Sequence, residues 1–127
     1  CSRINFTVSV TAKAAAQTPT GCAVGAPDVL AACAAIVADK EKSASDRAHA
    51  WRVQGVTEFR ARNLDKALSA FTSAIELSPD DGESYNNRGL VHQFRKEFDA
   101  ALADYDKAVA IAPAMTAALV NRSNAID

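Results

Sequence analysis

The chain has 127 residues, of which 49% are apolar, so it is long enough for one domain with a packed core. Fourteen Lys plus Arg against fifteen Asp plus Glu leave a net charge of −1, which argues against a nucleic-acid or anionic-membrane partner. Even the Ala-rich run 29–38 is too short for a membrane-spanning helix, which needs roughly 18 apolar residues. The composition therefore predicts neither a nucleic-acid-binding protein nor a membrane-spanning one.

Residues 1–20 are predicted to form an extended or β-strand arm. Apolar and polar residues alternate there, as in a strand with one buried face. The apolar positions are Ile4, Phe6, Val8 and Val10. A lone strand cannot satisfy its own edges, so the arm pairs outside this chain or lies extended.

Two features of this arm favour export. Ala14-Ala15-Ala16-Gln17 is similar to the end of a secretory signal peptide, although the residues before it are more polar than an apolar signal region. Asn5-Phe6-Thr7 matches the glycosylation acceptor pattern, so a glycan on Asn5 would indicate an exposed, exported arm.

Residues 21–47 contain Cys22 and Cys33 and one predicted helix, 28–37, followed by a polar loop, Asp39–Asp46. The two cysteines are close enough along the chain for a disulfide, which requires an oxidising compartment. The alternative is that Cys33 is a small buried apolar residue and Cys22 a loop thiol. No Cys-x-x-Cys pair or neighbouring His indicates a zinc or redox site.

The next segments, 48–81 and 82–115, repeat each other at an offset of 34 residues, a period typical of helix-turn-helix repeats. The matched pairs are Trp51 and Tyr85, Gly55 and Gly89, Leu64 and Phe98, Asp65 and Asp99, Ala67 and Ala101, Leu68 and Leu102, Phe71 and Tyr105, Ala74 and Ala108, Ile75 and Val109, Leu77 and Ile111, and Pro79 and Pro113. Each repeat is predicted to be two helices, with glycine allowing a close approach and proline ending the second helix.

These residues resemble the tetratricopeptide repeat family, whose Trp, Leu-Gly, Tyr, Ala, Phe, Ala and Pro pattern is followed at most positions. Two departures recur. Gln54 and Arg88 replace the usual Leu before the Gly, and Glu58 and His92 replace the usual Tyr three residues after it. We expect these polar side chains to be partly exposed at the edge of the stack.

Incomplete repeats flank the two full ones. Residues 116–127 match the first helix of a third repeat, while 21–47 match a second helix and loop without a first helix. This order is similar to that of small exported bacterial repeat proteins, and the similarity supports both the Cys22–Cys33 disulfide and export to the periplasm, cell surface or exterior.

The resemblance implies an all-α, right-handed helical repeat solenoid, whose first helices line a concave side that binds a protein or peptide. The peptide-binding candidates by family geometry are Arg52, Val56, Phe59, Arg60, Asn87, Leu90, Phe94, Asn121 and Asn124. Asn87 and Asn121 are 34 residues apart and could bond a peptide backbone, or could bond only within the repeats. The chaperone-tail clamp of related domains needs Lys and Asn at positions where this chain has others, among them Val53.

An alternative function is a structural subunit that assembles with copies of itself into an extracellular filament. The half-repeats at the two ends are complementary, and head-to-tail contacts need not close. The assembly candidates are the arm residues Ile4, Phe6, Val8 and Val10, with Leu30, Ile36, Val37, Leu119 and Ile126.

No catalytic or cofactor site is predicted. The chain has no Gly-rich phosphate loop and no nucleophile elbow. His49 and His92 are expected to be isolated from each other and from any Cys or acidic cluster, which argues against a metal or catalytic role.

Overall fold

A computed structural model of the protein describes residues 21–113 and 116–126. All regular structure in these ranges is helical, as predicted. The helices are α1 (Val29–Ala38), α2 (Ala44–Arg60), α3 (Leu64–Leu77), α4 (Gly82–Phe94), α5 (Phe98–Ile111) and α6 (Thr116–Ile126). The predicted extended or β-strand arm at 1–20, with the glycan acceptor Asn5, lies outside the described residues, as does the side chain of Ile126.

The two glycines set the distance between the helices of each pair. A Cβ atom on Gly55 would lie 2.5 Å from the Phe71 ring, and one on Gly89 would lie 2.6 Å from the Tyr105 ring. Both distances are shorter than any normal carbon contact, so only glycine permits this packing. The predicted role of the glycines is confirmed.

Helix α2 begins earlier than the sequence suggested. The predicted loop Asp39–Asp46 is wrong in its second half, because α2 already starts at Ala44. The Ser43 side chain accepts a hydrogen bond of 3.0 Å from the Asp46 N–H, and Asp46 is an acidic residue in the first turn. This capping arrangement stabilises a helix start, so the extra turn forms.

The turns between paired helices contain residues with left-handed backbone. Arg62 has φ 68° and Lys96 has φ 64°, one in each repeat. Positive φ is strained for side chains other than glycine. The second helices end at Leu77 and Ile111, two residues before Pro79 and Pro113, as predicted.

Residues before α2 pack onto that helix and close the first core cluster. Cys22 and Cys33 are joined in a disulfide, and Cys33 is fully buried. Ile36 and Val37 pack against the buried cluster of Ala26, Val29, Cys33, Ala50 and Val53. The lone helix α1 is therefore integrated into the solenoid rather than left with a free apolar face.

Contacts between the helices place the first helices of successive repeats, α2, α4 and α6, side by side. Helix α2 pairs with α3 and α4 pairs with α5, while α4 also contacts α3 and α6 contacts α5. In addition, α2 touches α4 and α4 touches α6 directly. These first helices form a continuous surface, which we call the α2/α4/α6 face. None of the described helices is both long enough and apolar enough to cross a membrane.

Candidate functional site

The α2/α4/α6 face is held together at one end by Arg52. Its guanidinium lies 2.7 Å from the Asp81 carboxylate and 3.4 Å from Glu83. Asp81 is also the N-cap of α4, where it accepts hydrogen bonds from the Ser84 hydroxyl and N–H. Arg52 was predicted to bind ligand, but two carboxylates already neutralise it, so its first role is to fix α4 against α2.

At the other end of α2 and α4 an aromatic pair is exposed. The Phe59 and Phe94 rings meet edge to face, with centroids 5.0 Å apart and an interplanar angle of 79°. Phe59 is half-buried against the core cluster of Ala67, Phe71 and Val91, whereas Phe94 is 51% exposed. The pair therefore presents a rigid apolar surface to solvent, positioned by the core beneath it.

One cation contacts this aromatic pair, and a second cation follows Phe59 directly in the sequence. The Arg62 guanidinium lies 5.8 Å from the centroid of the Phe94 ring, within the range of a cation–π contact. Arg60 is exposed at the end of α2, next to Phe59. Among the ion pairs of the described ranges, none involves Arg60 or Arg62.

Three acidic residues lie close in the sequence to Arg60, Arg62 or Phe94. Asp65 pairs with Arg95, and the Arg95 guanidinium also lies 3.2 Å from Glu97. Glu58 accepts a hydrogen bond of 2.9 Å from the neutral Asn63 amide, so it keeps its charge. Beside the exposed Phe94 ring itself, the charged group is the Arg62 guanidinium.

The asparagines on the face are only partly available. The Asn121 side-chain amide donates a hydrogen bond of 3.0 Å to the side-chain oxygen Oδ1 of Asn86, which is buried. This bond ties α6 to α4, so Asn121 follows the alternative in which these asparagines bond within the repeats. Asn87 is half-buried and Asn124 is exposed.

Two other residues predicted to contact a ligand, Val56 and Leu90, lie along α2 and α4 between Arg52 and the Phe59–Phe94 pair. Val56 packs against the core cluster under Phe59, so it mainly supports the aromatic pair. Leu90 is half-buried on α4, one turn before Phe94. The structure therefore brings Val56, Phe59 and Phe94 together with Arg62, which the sequence analysis did not select. The sequence feature that could have identified Arg62 is a second basic residue, Lys96, at the equivalent position of the next repeat, 34 residues later.

Behind the face, a polar cluster joins α4 to α5. Arg88 forms two hydrogen bonds of 2.8 Å with the Asp104 carboxylate and one of 3.3 Å with the Thr72 hydroxyl. Asp104 is buried, with 6% exposure. Hydrogen bonding to Asp104 raises the pKa of Arg88 above its ordinary value, so the guanidinium stays charged.

The prediction that His92 is isolated from acidic groups is wrong. His92 Nδ1 lies 2.8 Å from Glu97 Oε1, and Nε2 lies 3.7 Å from Asp104 Oδ2. The hydrogen bond from His92, followed by that from Arg95, lowers the pKa of Glu97. These partners come from the turn after α4 and from α5, and only packing brings them to His92.

The Tyr105 side chain is held in place close to this polar cluster of α4 and α5. Tyr105 is fully buried, and its hydroxyl donates a hydrogen bond of 2.6 Å to the Gln93 side-chain oxygen. Burial, together with the nearby Asp104 charge, raises the pKa of Tyr105 to about 12. Because the hydroxyl is bonded and buried, it acts as a packing and anchoring group.

Two open polar grooves lie outside the exposed aromatic pair. One, of about 240 Å³, is lined by Trp51, Gln54, Glu58, Lys66, Ser69 and Ala70. The other, of about 460 Å³, is lined by Ser45, Asp46, Ala48, His49, Arg52, Ser78, Asp80 and Asp81. Across residues 21–113 and 116–126, no group of three or more His, Cys, Asp or Glu side chains is placed to hold a metal ion.

The residues predicted for head-to-tail assembly are divided by the structure. Ile36 and Val37 are used inside the chain, as described above. Leu30 and Leu119 remain exposed, on α1 and α6 respectively. The four arm residues Ile4, Phe6, Val8 and Val10 lie outside the described residues. No contact in the described structure supports the filament alternative.

Comparisons with known proteins agree with this arrangement. The profile of a family described as "Tetratricopeptide repeat" matches residues 31–82 and 53–116, which together cover well over half of the chain. Tetratricopeptide repeat protein 36 of Mus musculus is 35% identical over 66 residues, covering 52% of this chain and 36% of its own length.

Two further relatives come from other kingdoms. Heat shock protein STI1 of Saccharomyces cerevisiae is 38% identical over 64 residues, covering 50% of this chain and 11% of its own length. Hsp70-Hsp90 organizing protein 2 of Arabidopsis thaliana is 31% identical over 62 residues, covering 49% of this chain and 11% of its own. The chain spans only 33–36% of the length of the first relatives it matches.

Proposed function

The chain belongs to the tetratricopeptide repeat family, and from this premise we propose that it is a protein-protein interaction scaffold that binds an extended peptide segment on the α2/α4/α6 face. The observation that carries this proposal is the exposed Phe59–Phe94 pair, which the packing of two successive repeats places on that face. Rigid aromatic side chains that are half-exposed are typical anchors of binding sites.

A chaperone tail is not the ligand that we propose. The names of two relatives refer to heat shock proteins, but the match covers only 11% of each of those longer chains. In this chain Val53 stands at one of the clamp positions and is buried in the core cluster, and Arg52 is already paired with Asp81 and Glu83. A carboxylate ligand would have to compete with both internal acids.

Peptide display on the purified chain tests the proposal. We expect selected peptides to bind with a Kd of about 1–100 μM, corresponding to binding free energies near −8 to −5 kcal/mol. Leu90→Glu places a charge on the face and is expected to weaken binding about tenfold or more.

The matched control is Ala103→Glu, which adds the same charge on an exposed position of α5. Its affinity for the selected peptides should equal that of the unmodified chain, and circular dichroism should show that both variants are folded. Equal loss of binding in both variants, or no selectable peptide, would contradict the use of this face.

We also propose that the protein works in an oxidising compartment outside the cytoplasm, as in the small exported bacterial proteins that its sequence resembles. The bonded positions of Cys22 and Cys33 support this, because such disulfides persist in oxidising environments. In the protein isolated from its natural source and unfolded without reductant, Cys22 and Cys33 should not react with a thiol reagent, as peptide mass spectrometry would show. Labelling of both cysteines would contradict the proposal.

A further inference from the structure

We infer that the partner segment carries an aromatic or long aliphatic side chain next to an acidic residue, and that it docks on the surface formed by Phe59, Phe94, Arg60 and Arg62. We call this surface the aromatic-cation patch. The inference rests on the proposed function and narrows the class of partner that it requires.

The apolar half of the patch is built to receive a side chain. Phe94 is the large apolar residue with the highest exposure on α4, at 51%, and Phe59 holds its ring from one side. Phe59 itself rests on a core cluster that includes Phe71 and Val91. An apolar side chain laid on Phe94 would therefore meet a surface that does not have to reorganise, which favours binding.

The charged half of the patch selects an acidic neighbour. Arg60 and Arg62 are exposed and form no ion pair among the described residues, whereas Asp65 and Glu97 are both paired with Arg95. Glu58 is bonded only to the neutral Asn63 amide, so one acidic charge stands against these two cations. The nine peptide-binding candidates named from the sequence include no acidic residue. On a chain with a net charge of −1, this local excess of cations is complementary to an acidic peptide.

The consensus of peptides selected by display on the intact chain is the first test. We expect an aromatic or long aliphatic residue within two positions of Asp or Glu. Peptides that bind but share a basic or purely polar consensus would overturn this inference and leave the proposed function standing. A failure to select any peptide would instead count against the proposed function itself.

Substitutions at the patch provide the second test, using the highest-affinity selected peptide as probe. Phe94→Ser should weaken binding about tenfold or more, as is typical for loss of a central anchor. Its control is Leu30→Ser, which removes a comparably exposed apolar side chain from α1, at 41% exposure, and should leave the affinity unchanged. Equal effects of the two substitutions would overturn the inference.

The charge is tested in the same way. Arg60→Glu should weaken binding about tenfold and reduce its dependence on salt, because exposed charge pairs are screened by ions. Lys107→Glu, on an exposed position of α5, is the matched control and should bind as the unmodified chain does. Arg62→Asn removes the second charge with a side chain that tolerates positive φ, and should also weaken binding.

A second copy of the chain is the competing occupant of the patch. Sedimentation of the unmodified chain and of Phe94→Ser at increasing concentration distinguishes the two cases. A monomer in both supports a peptide ligand, whereas self-association that Phe94→Ser abolishes would overturn the inference.

Discussion

At the scale of single residues, two glycines and the rings opposite them decide how closely each helix pair packs. Gly55 faces Phe71 and Gly89 faces Tyr105, with no room for a methyl group in either place. The two sites differ in one respect. The Tyr105 hydroxyl is bonded to Gln93, so its ring is fixed at both ends.

Substitution of Gly89 by Ala is expected to destabilise the chain. Alanine gains about 1 kcal/mol of helix propensity, but forcing a methyl group into a packed core typically costs about 1–3 kcal/mol. Because the Tyr105 ring cannot move freely, we expect a net loss of about 1 kcal/mol or more in urea unfolding. In a Tyr105→Leu background the same substitution should cost less, and an equal cost in both backgrounds would contradict this contact.

Alkaline pH should destabilise the protein through Tyr105. Its pKa is raised to about 12 in the folded chain, whereas a tyrosine in the unfolded chain has a pKa near 10. The folded state then holds the proton more tightly, so this contribution is complete below about pH 10 and is lost as the pH rises toward about 12. The free energy of unfolding should be measured from about pH 9 upward for the unmodified chain and for Tyr105→Phe, and the two values should converge as the pH rises. Parallel curves would contradict the raised pKa of Tyr105.

At the scale of secondary structure elements, the contact between α4 and α5 shows how a departure from the family pattern is accommodated. Arg88 replaces the family's Leu, and Asp104 stands where the first repeat has Ala70. The two changes compensate each other, because Arg88 satisfies both oxygens of the buried Asp104. Without Arg88, the Asp104 carboxylate would keep only the longer contact of 3.7 Å with His92 Nε2.

This compensation predicts a strong coupling between the two residues. Arg88→Leu or Asp104→Ala alone should cost about 2–3 kcal/mol, because each leaves a buried polar group without its partner. The double variant combines the family residue with the residue of the first repeat, and should unfold within about 1 kcal/mol of the unmodified chain. Additive losses, measured by urea denaturation of the full cycle, would contradict the coupling.

At the scale of the whole molecule, each helix contacts its neighbours along the array and few elements beyond them. Stability in such proteins is approximately a sum of local terms. Helix α6 contacts α5 and α4, and its side chains Leu119 and Val120 are exposed. Helix α2, by contrast, is covered by α1 on one side and by α3 and α4 on others.

Hydrogen exchange rates along this 127-residue chain should follow how much each helix is covered by its neighbours. We expect amides of the end helices α1 and α6 to exchange fastest among the six helices and those of α3 and α4 slowest, because the end helices are covered least by neighbouring helices. Mass spectrometry of peptides from each helix would measure it. If α6 were protected from exchange as strongly as α3, the chain would unfold as a single cooperative unit. That result would contradict a stability that is a sum of local terms. The unmodified full chain serves as its own reference, since all helices are compared in one sample.

The sequence alone determined the repeat, its two-helix units and the use of Gly55 and Gly89, because these depend on spacing and residue size. It also selected Phe59 and Phe94 through family geometry. It placed the start of α2 too late, since the helix start depended on a Ser43 cap that the repeat pattern does not contain.

Only the tertiary structure decided which polar groups meet. Arg52 with Asp81, Asn121 with Asn86, Arg88 with Asp104 and His92 with Glu97 are pairs joined by packing between elements. The same packing placed the Arg62 guanidinium beside the exposed Phe94 ring, while Asp65 is paired with Arg95. Helix periodicity fixes the face on which a side chain lies, but its charge environment depends on the neighbouring helices, which the local sequence pattern does not encode.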